Sequence, residues 1–124
     1  MPFTKLPRTL PTIVETAVFT RQIDELLDTE GRGVLMSALA DDPMAGDVIK
    51  GTGGVRKLRF ALPGTGKSGG IRVIYWFLND SAPLYALLAY GKSVQDDLTP
   101  AQTKTVAALT TVLKKLHART DDDR

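Results

Sequence analysis

Residues Val48 to Leu78 read VIKGTGGVRKLRFALPGTGKSGGIRVIYWFL, and the architecture follows from the alternation inside them. From Val55 to Leu62 apolar and basic residues alternate. A strand there puts Leu58, Phe60 and Leu62 on one face and Lys57, Arg59 and Ala61 on the other, apolar side chains toward a core and basic ones outward. Pro63, Gly64, Gly66, Gly69 and Gly70 interrupt the pattern. Ile71 to Leu78 then resumes as a β-branched and aromatic run, the composition of a buried central strand. The spacing predicts two strands joined by a glycine-rich, basic loop. If they pair antiparallel, Arg72 at the start of the second comes near Lys57 and Arg59.

The same stretch carries an unbalanced charge. It holds six Lys or Arg (Lys50, Arg56, Lys57, Arg59, Lys67 and Arg72) and no Asp or Glu. The ten other basic residues are outnumbered by all fourteen acidic ones, so a net charge of +2 conceals a cationic segment in an acidic remainder. Cations without counter-ions repel one another, and a polyanion relieves that repulsion, which points to nucleic acid.

At 124 residues, 43% hydrophobic and 24% charged, the chain has the size and composition of one globular domain. Residues 1–11 are expected to be a loose lead-in, 12–118 the domain and 119–124 a solvated tail. No apolar run is long enough to cross a membrane, and MPFTKLPRTLP lacks the apolar core of a signal peptide, so a cytoplasmic protein is expected. With no cysteine and one histidine, disulfides, thiolate zinc and a histidine metal cluster are excluded, and no metal or cofactor is expected. His117 reads as a solvent-facing residue near a helix C-terminus, where positive charge is favourable.

In chain order, Thr12 to Val18 is a β-branched strand. Thr20 then reads as the N-cap of a short helix to about Asp28, with Phe19, Ile23, Leu26 and Leu27 at helical spacing. Glu30 to Ala40 is a second helix with Val34, Leu35, Ala38 and Leu39 as its apolar stripe, ended by Asp41, Asp42 and Pro43. Gly46 to Gly54 reads as loop. After the two strands above, Asn79 to Ser81 is a turn and Leu84 to Tyr90 a hairpin partner. Thr99, Pro100 and Gln102 supply an N-cap, a first-turn proline and a capping-box glutamine for a last helix, whose apolar face is Val106, Leu109, Val112, Leu113 and Leu116. The order strand, helix, helix, strand, strand, strand, helix makes an α+β domain. Its helices are expected on one face of a small, mainly antiparallel sheet, with the basic residues on the other.

Three motifs invite chemistry. GTGKSGG has the ingredients of a phosphate loop but not the spacing: the first glycine position is Ala61, and a strand rather than a helix follows. Lys67 is instead a candidate contact to an RNA backbone. Among the aromatic residues, Tyr90 shares a face with Leu84, Ala86 and Leu88 and, two residues before Lys92, stands at the rim of a possible site. Asp96 and Asp97 precede a helix N-terminus, where carboxylates are favourable for structural reasons.

Three segments, TIVETAVFTRQI, GDVIKGTGGVRKLRFALPGTGKSGGIRVIYWF and AYGKSVQDDLTPAQ, together resemble the RelE/HigB toxins of bacterial type II toxin–antitoxin modules, with the middle block closest to the HigB branch. The resemblance implies the RelE-like fold and a toxin that cuts messenger RNA in the ribosomal decoding site. It also implies a cognate, HigA-like, DNA-binding antitoxin. It places Lys57 and Arg59 on the RNA-facing strand, Arg72 at the start of the next strand and Lys92 in the glycine-lysine segment after the last. Ser93 stands where some members carry arginine, and the last helix has no counterpart of their tyrosine.

Metal-free cleavage needs the ribose 2′-hydroxyl to attack the adjacent phosphorus, with a base, cations for the developing charge and an acid for the leaving oxygen. Arg59 and Arg72 suit charge stabilisation. Lys57, Lys92 and Tyr90 are the proton-transfer candidates, and a lysine serves as base only where neighbouring cations lower its pKa. Arg56, Lys67 and Lys50 are candidate RNA contacts. The rival readings are a ParE-like gyrase poison, which needs no aligned cations, and a non-catalytic RNA-binding domain.

Overall fold

The computed structural model describes residues 10–61 and 70–122. Its elements are β1 (Ile13–Glu15), α1 (Ala17–Leu26), α2 (Thr29–Asp41), β2 (Asp47–Val48), β3 (Arg56–Phe60), β4 (Ile71–Phe77), β5 (Leu84–Gly91) and α3 (Pro100–Asp122). The sheet runs β1-β5-β4-β3-β2, parallel between β1 and β5 and antiparallel elsewhere. The expected α+β class, the antiparallel β3-β4-β5 meander and the central, buried β4 are all present.

The helices do not gather on one face. Phe19, Ile23 and Leu27 of the α1 region and Leu35 and Leu39 of α2 pack with Leu58, Phe60, Ile71, Val73 and Tyr75. Val106, Leu109 and Leu113 of α3 pack with Val55, Ile74, Trp76, Leu87 and Tyr90. Successive residues of β4 alternate between these two clusters, so a strand apolar at nearly every position is covered from both sides. Lys57, Arg59 and Arg72 therefore share their face with α3, and Arg56 lies on the other.

At ten residues, α1 is shorter than the roughly 12 to 15 a helix needs to persist alone in water. Burial of Phe19, Ile23 and Leu27, each worth about 1.5 to 3 kcal/mol, holds it. Its N-cap is Thr16 rather than Thr20: the Thr16 hydroxyl accepts from Phe19 N at 3.0 Å and donates to Leu87 O at 2.8 Å. The strand expected over Thr12 to Val18 accordingly stops at Glu15. Thr20 lies inside the helix and donates to Glu15 Oε1. Beyond the end of β1, Gln22 Oε1 accepts from Ala89 N at 2.9 Å, so α1 side chains satisfy the outer edge of β5.

Two more features depart from the pattern. The loop expected over Gly46 to Gly54 contains β2, paired through Asp47↔Lys57 and Val48↔Arg56. On α3, Val112 and Leu116 are exposed, and the buried stripe runs through Val106, Leu109, Thr110 and Leu113 to a half-buried His117. Thr110 fits a buried position because its hydroxyl donates to Val106 O at 2.8 Å. His117 is not solvent-facing: Nε2 lies 3.0 Å from the Tyr85 hydroxyl and the ring stacks over Trp76. The capping box is as expected, with Gln102 N donating to Thr99 Oγ1 at 3.1 Å and Thr99 N to Gln102 Oε1 at 2.9 Å. The α3 backbone continues to Asp122, past residue 118.

Candidate functional site

Strand register assembles the site. Arg59 of β3 pairs with Arg72 of β4, and Arg72 pairs with Tyr90 of β5, forming one row across three strands. Lys57 lies two residues from Arg59 and on the same face. Tyr90 joins that face through an irregularity: Ile74 pairs with Leu88 and Tyr75 with Ala86, leaving Leu87 as an extra residue. Before the bulge, Leu84 and Ala86 face α1 and α2; after it, Leu88 and Tyr90 face α3. The four residues expected to share a face are thus split two and two. At the other side of the row, Gly70 leads into β4 with φ +71, and a Cβ there would lie 2.4 Å from Phe60 O, so this position requires glycine.

The segment between β5 and α3 folds over this row. It turns back at Gly91, whose carbonyl accepts from Val94 N and Gln95 N, and Gln95 Nε2 ties it to Asp97 O and Gln102 Oε1. Asp96 is the hub. Its carboxylate accepts from Arg72 Nε at 3.0 Å, and its carbonyl accepts from Lys57 Nζ at 3.3 Å and from the Tyr90 hydroxyl at 3.2 Å. Asp97 Oδ1 lies 2.6 Å from Lys57 Nζ, and Asp47 Oδ2 lies 3.4 Å from Arg59 Nη1. Lys57, Arg59 and Arg72, which looked uncompensated along the chain, therefore each meet a carboxylate from elsewhere in it. Lys57 finds a carboxylate where surrounding cations were expected.

Burial and charge set the proton inventory. The Arg72 hydrogen bond, reinforced by the charges of Arg72, Lys57 and Lys92, holds the Asp96 carboxyl below its ordinary range against a smaller effect of burial. For Tyr90, burial and then the Asp97 and Asp96 charges push the phenol up, opposed by Arg72. It is thus a neutral hydroxyl at physiological pH.

Of the residues singled out along the sequence, Lys57, Arg59, Arg72 and Tyr90 converge. Lys92 is exposed where the covering segment begins, with its backbone N bonded to Gly70 O. Arg56 does not join them: it points to the opposite face, and Nη1 donates to Met44 O and Gly46 O. Lys50 sits in the β2–β3 turn, at the far end of β3 from Arg59. Lys67 lies outside the described residues. Asp47, Asp96 and Asp97 are the site residues that sequence reasoning missed. Their partners are 12, 24 and 40 positions away, and a favourable place before a helix already accounted for the last two.

Comparison with known proteins adds two findings. Residues 35–121, well over half of the chain, match the family described as the RelE toxin of the RelE/RelB toxin-antitoxin system. Among solved structures, an arginine-to-alanine double mutant of the E. coli toxin RelE in the free state aligns at 13% identity and a TM-score of 0.49, covering 81% of this chain and 96% of that one.

Proposed function

The chain belongs to the RelE toxin family of type II toxin–antitoxin systems, and from that premise we propose a ribosome-dependent mRNA endonuclease whose chemistry is carried by Lys57, Arg59, Arg72 and Tyr90. A cognate antitoxin is the partner this family implies. The ribosome with messenger in its decoding site, a HigA-like antitoxin and a cytoplasmic setting are the finer parts of the proposal. So is a place near the HigB branch, which rests on the block from Gly46 to Phe77. No described helix is long and apolar enough to cross a membrane.

One observation carries the reading: Arg59, Arg72 and Tyr90 stand in one row with Lys57 beside it, so two guanidiniums, a lysine amine and a neutral phenol share one face of the sheet. Arg59 and Arg72 hold the phosphate and offset the charge that builds on its oxygens. Lys57, acting as the neutral amine once RNA has replaced its carboxylate partner, takes the proton of the 2′-hydroxyl as that oxygen attacks phosphorus and becomes the ammonium. As the bond from phosphorus to the 5′-oxygen breaks, Tyr90 or Lys92 supplies a proton to the leaving oxygen. The products are a 2′,3′-cyclic phosphate and a 5′-hydroxyl.

The test is primer extension on a reporter messenger after brief induction of the wild type and of Arg72→Ala, with and without an antibiotic that empties the decoding site. In-frame cuts that vanish with the variant and with the drug are expected. Growth arrest without cuts would overturn the reading in favour of a gyrase-type target.

A further inference from the structure

The basic side chains of the site are already occupied. Lys57 and Arg72 keep only 12% and 6% of their side chains exposed, whereas their partners Asp97 and Asp96 keep 82% and 53%. The carboxylates thus lie on the solvent side of the cations, across the direction from which a strand arrives. Asp47 stands likewise beside Arg59, with both side chains more than half exposed. A phosphate meeting Arg72 finds Nε already bonded at 3.0 Å to a carboxylate, an anion with the same planar two-oxygen edge that a phosphate offers.

We infer that Asp96 and Asp97 occupy the phosphate positions of the free protein, and that RNA binds by exchanging its phosphates for these two carboxylates. They are positioning residues: they keep Lys57 and Arg72 extended toward the site and raise the threshold for any polyanion that cannot displace them. The exchange also releases the covering segment, because Lys57 and Tyr90 hold it through Asp96 O and Arg72 holds it through the Asp96 carboxylate. A strand fixed in position on the ribosome supplies several phosphates at once, whereas a loose oligonucleotide must break the same ion pairs with fewer contacts. The covering aspartates therefore favour the positioned substrate over free RNA. The inference rests on the nuclease reading for the identity of the polyanion.

The experiment is equilibrium binding of a fluorescent RNA hexanucleotide bearing 2′-O-methyl groups, which cannot be cut, to wild type, to Asp96→Asn/Asp97→Asn and to Asp96→Glu/Asp97→Glu across a salt series. Two partly exposed ion pairs no longer have to be broken in the Asn protein. Affinity at low salt should then rise about 10-fold, and the slope of log K against log salt should steepen by up to about 1.4, about 0.7 for each carboxylate charge removed from beside a bound phosphate. The Glu protein, with charge retained, should bind like wild type. Equal or weaker binding by the Asn protein would overturn the exchange and leave the aspartates as structural supports. Should the double variant fold poorly, Asp97→Asn alone, at the more exposed position, gives the same test with about a 3-fold gain. Wild-type cleavage is scored separately by primer extension. Cuts together with unchanged Asn binding sink only the exchange, and no cuts together with tighter Asn binding sink only the nuclease.

Discussion

Arg59 and Arg72 stand directly opposite one another on β3 and β4, a like-charge pair at the cross-strand position where side chains interact most strongly. Such a pair costs stability, and the carboxylates of Asp47 and Asp96 offset it only in part, since the Arg59 pair is long at 3.4 Å and open to water. Replacing Arg59 by Val removes the repulsion and adds a residue with high strand preference. Urea denaturation of Arg59→Val should show a gain of about 0.5 kcal/mol, while cleavage in the primer-extension assay falls about 100-fold for loss of one charge-stabilising donor. A variant less stable than wild type would mean that the pairing with Asp47 outweighs the repulsion.

The hydroxyl of Tyr75, on the opposite face, accepts a hydrogen bond from Gly46 N at 2.8 Å in the interior. A Cβ on Gly46 would lie 2.9 Å from that hydroxyl, so the two residues fit only as they are. Tyr75→Phe leaves a buried N–H without a partner and should cost about 1 to 3 kcal/mol in chemical denaturation. Cleavage per folded molecule should not change, because Tyr75 lies on the side of the sheet away from Lys57 and Arg72.

Glu15 fastens β1 to α2. Both its oxygens accept from Arg32 Nη2 at 2.7 Å, and Oε1 also accepts from Thr20. Burial pushes this carboxyl up, but the Arg32 and Thr20 hydrogen bonds and the Arg32 charge together outweigh it and leave its pKa lowered. A carboxyl depressed in the folded state contributes stability above its unfolded pKa and loses it as pH falls through the folded value. Glu15→Gln should therefore cost about 1 to 2 kcal/mol at pH 7, discounted for the one-fifth of the side chain that stays exposed. The gap between the two proteins should close as pH drops below about 4. A gap that persists at pH 2 would assign the cost to lost packing.

Local rules made most of the elements legible. Thr99 and Gln102 announce α3 because the capping box is complete within four residues, and β3 and β4 announce themselves by alternation. What stayed hidden depends on partners distant in sequence. Nothing in LYALLAY marks Leu87 as a bulge; the extra residue is stabilised by Thr16, whose hydroxyl meets Leu87 O across 71 positions, and without it Tyr90 would face away from Arg72. Val112 and Leu116 satisfied the helical period yet lie outside, because Thr110 hides its hydroxyl against Val106 O and His117 finds Tyr85. Of the cationic half, Lys57 and Arg59 were readable from one strand's alternation, and Arg72 followed once that strand was paired antiparallel with the next. The anionic half was not, since Asp47, Asp96 and Asp97 meet their partners only after the sheet forms.

Lys57 separates proton transfer from charge stabilisation. Its ammonium now lies between Asp97 Oδ1 and Asp96 O, at 2.6 and 3.3 Å, and once those contacts give way to RNA its neighbours on the same face are Arg59 and Arg72. Met at this position removes both charge and basicity. Arg keeps the charge and abolishes the basicity, because guanidinium does not surrender a proton at neutral pH. If Lys57 takes the 2′-hydroxyl proton, Lys57→Met and Lys57→Arg should both lower the single-turnover rate on ribosome-bound messenger by 100-fold or more, within the range of about 10² to 10⁴ for general base catalysis. The Arg variant should still bind the 2′-O-methyl hexanucleotide as tightly as wild type. Recovery of the rate in Lys57→Arg, with Lys57→Met remaining slow, would assign Lys57 to charge stabilisation and leave Lys92 as the remaining lysine candidate for the base.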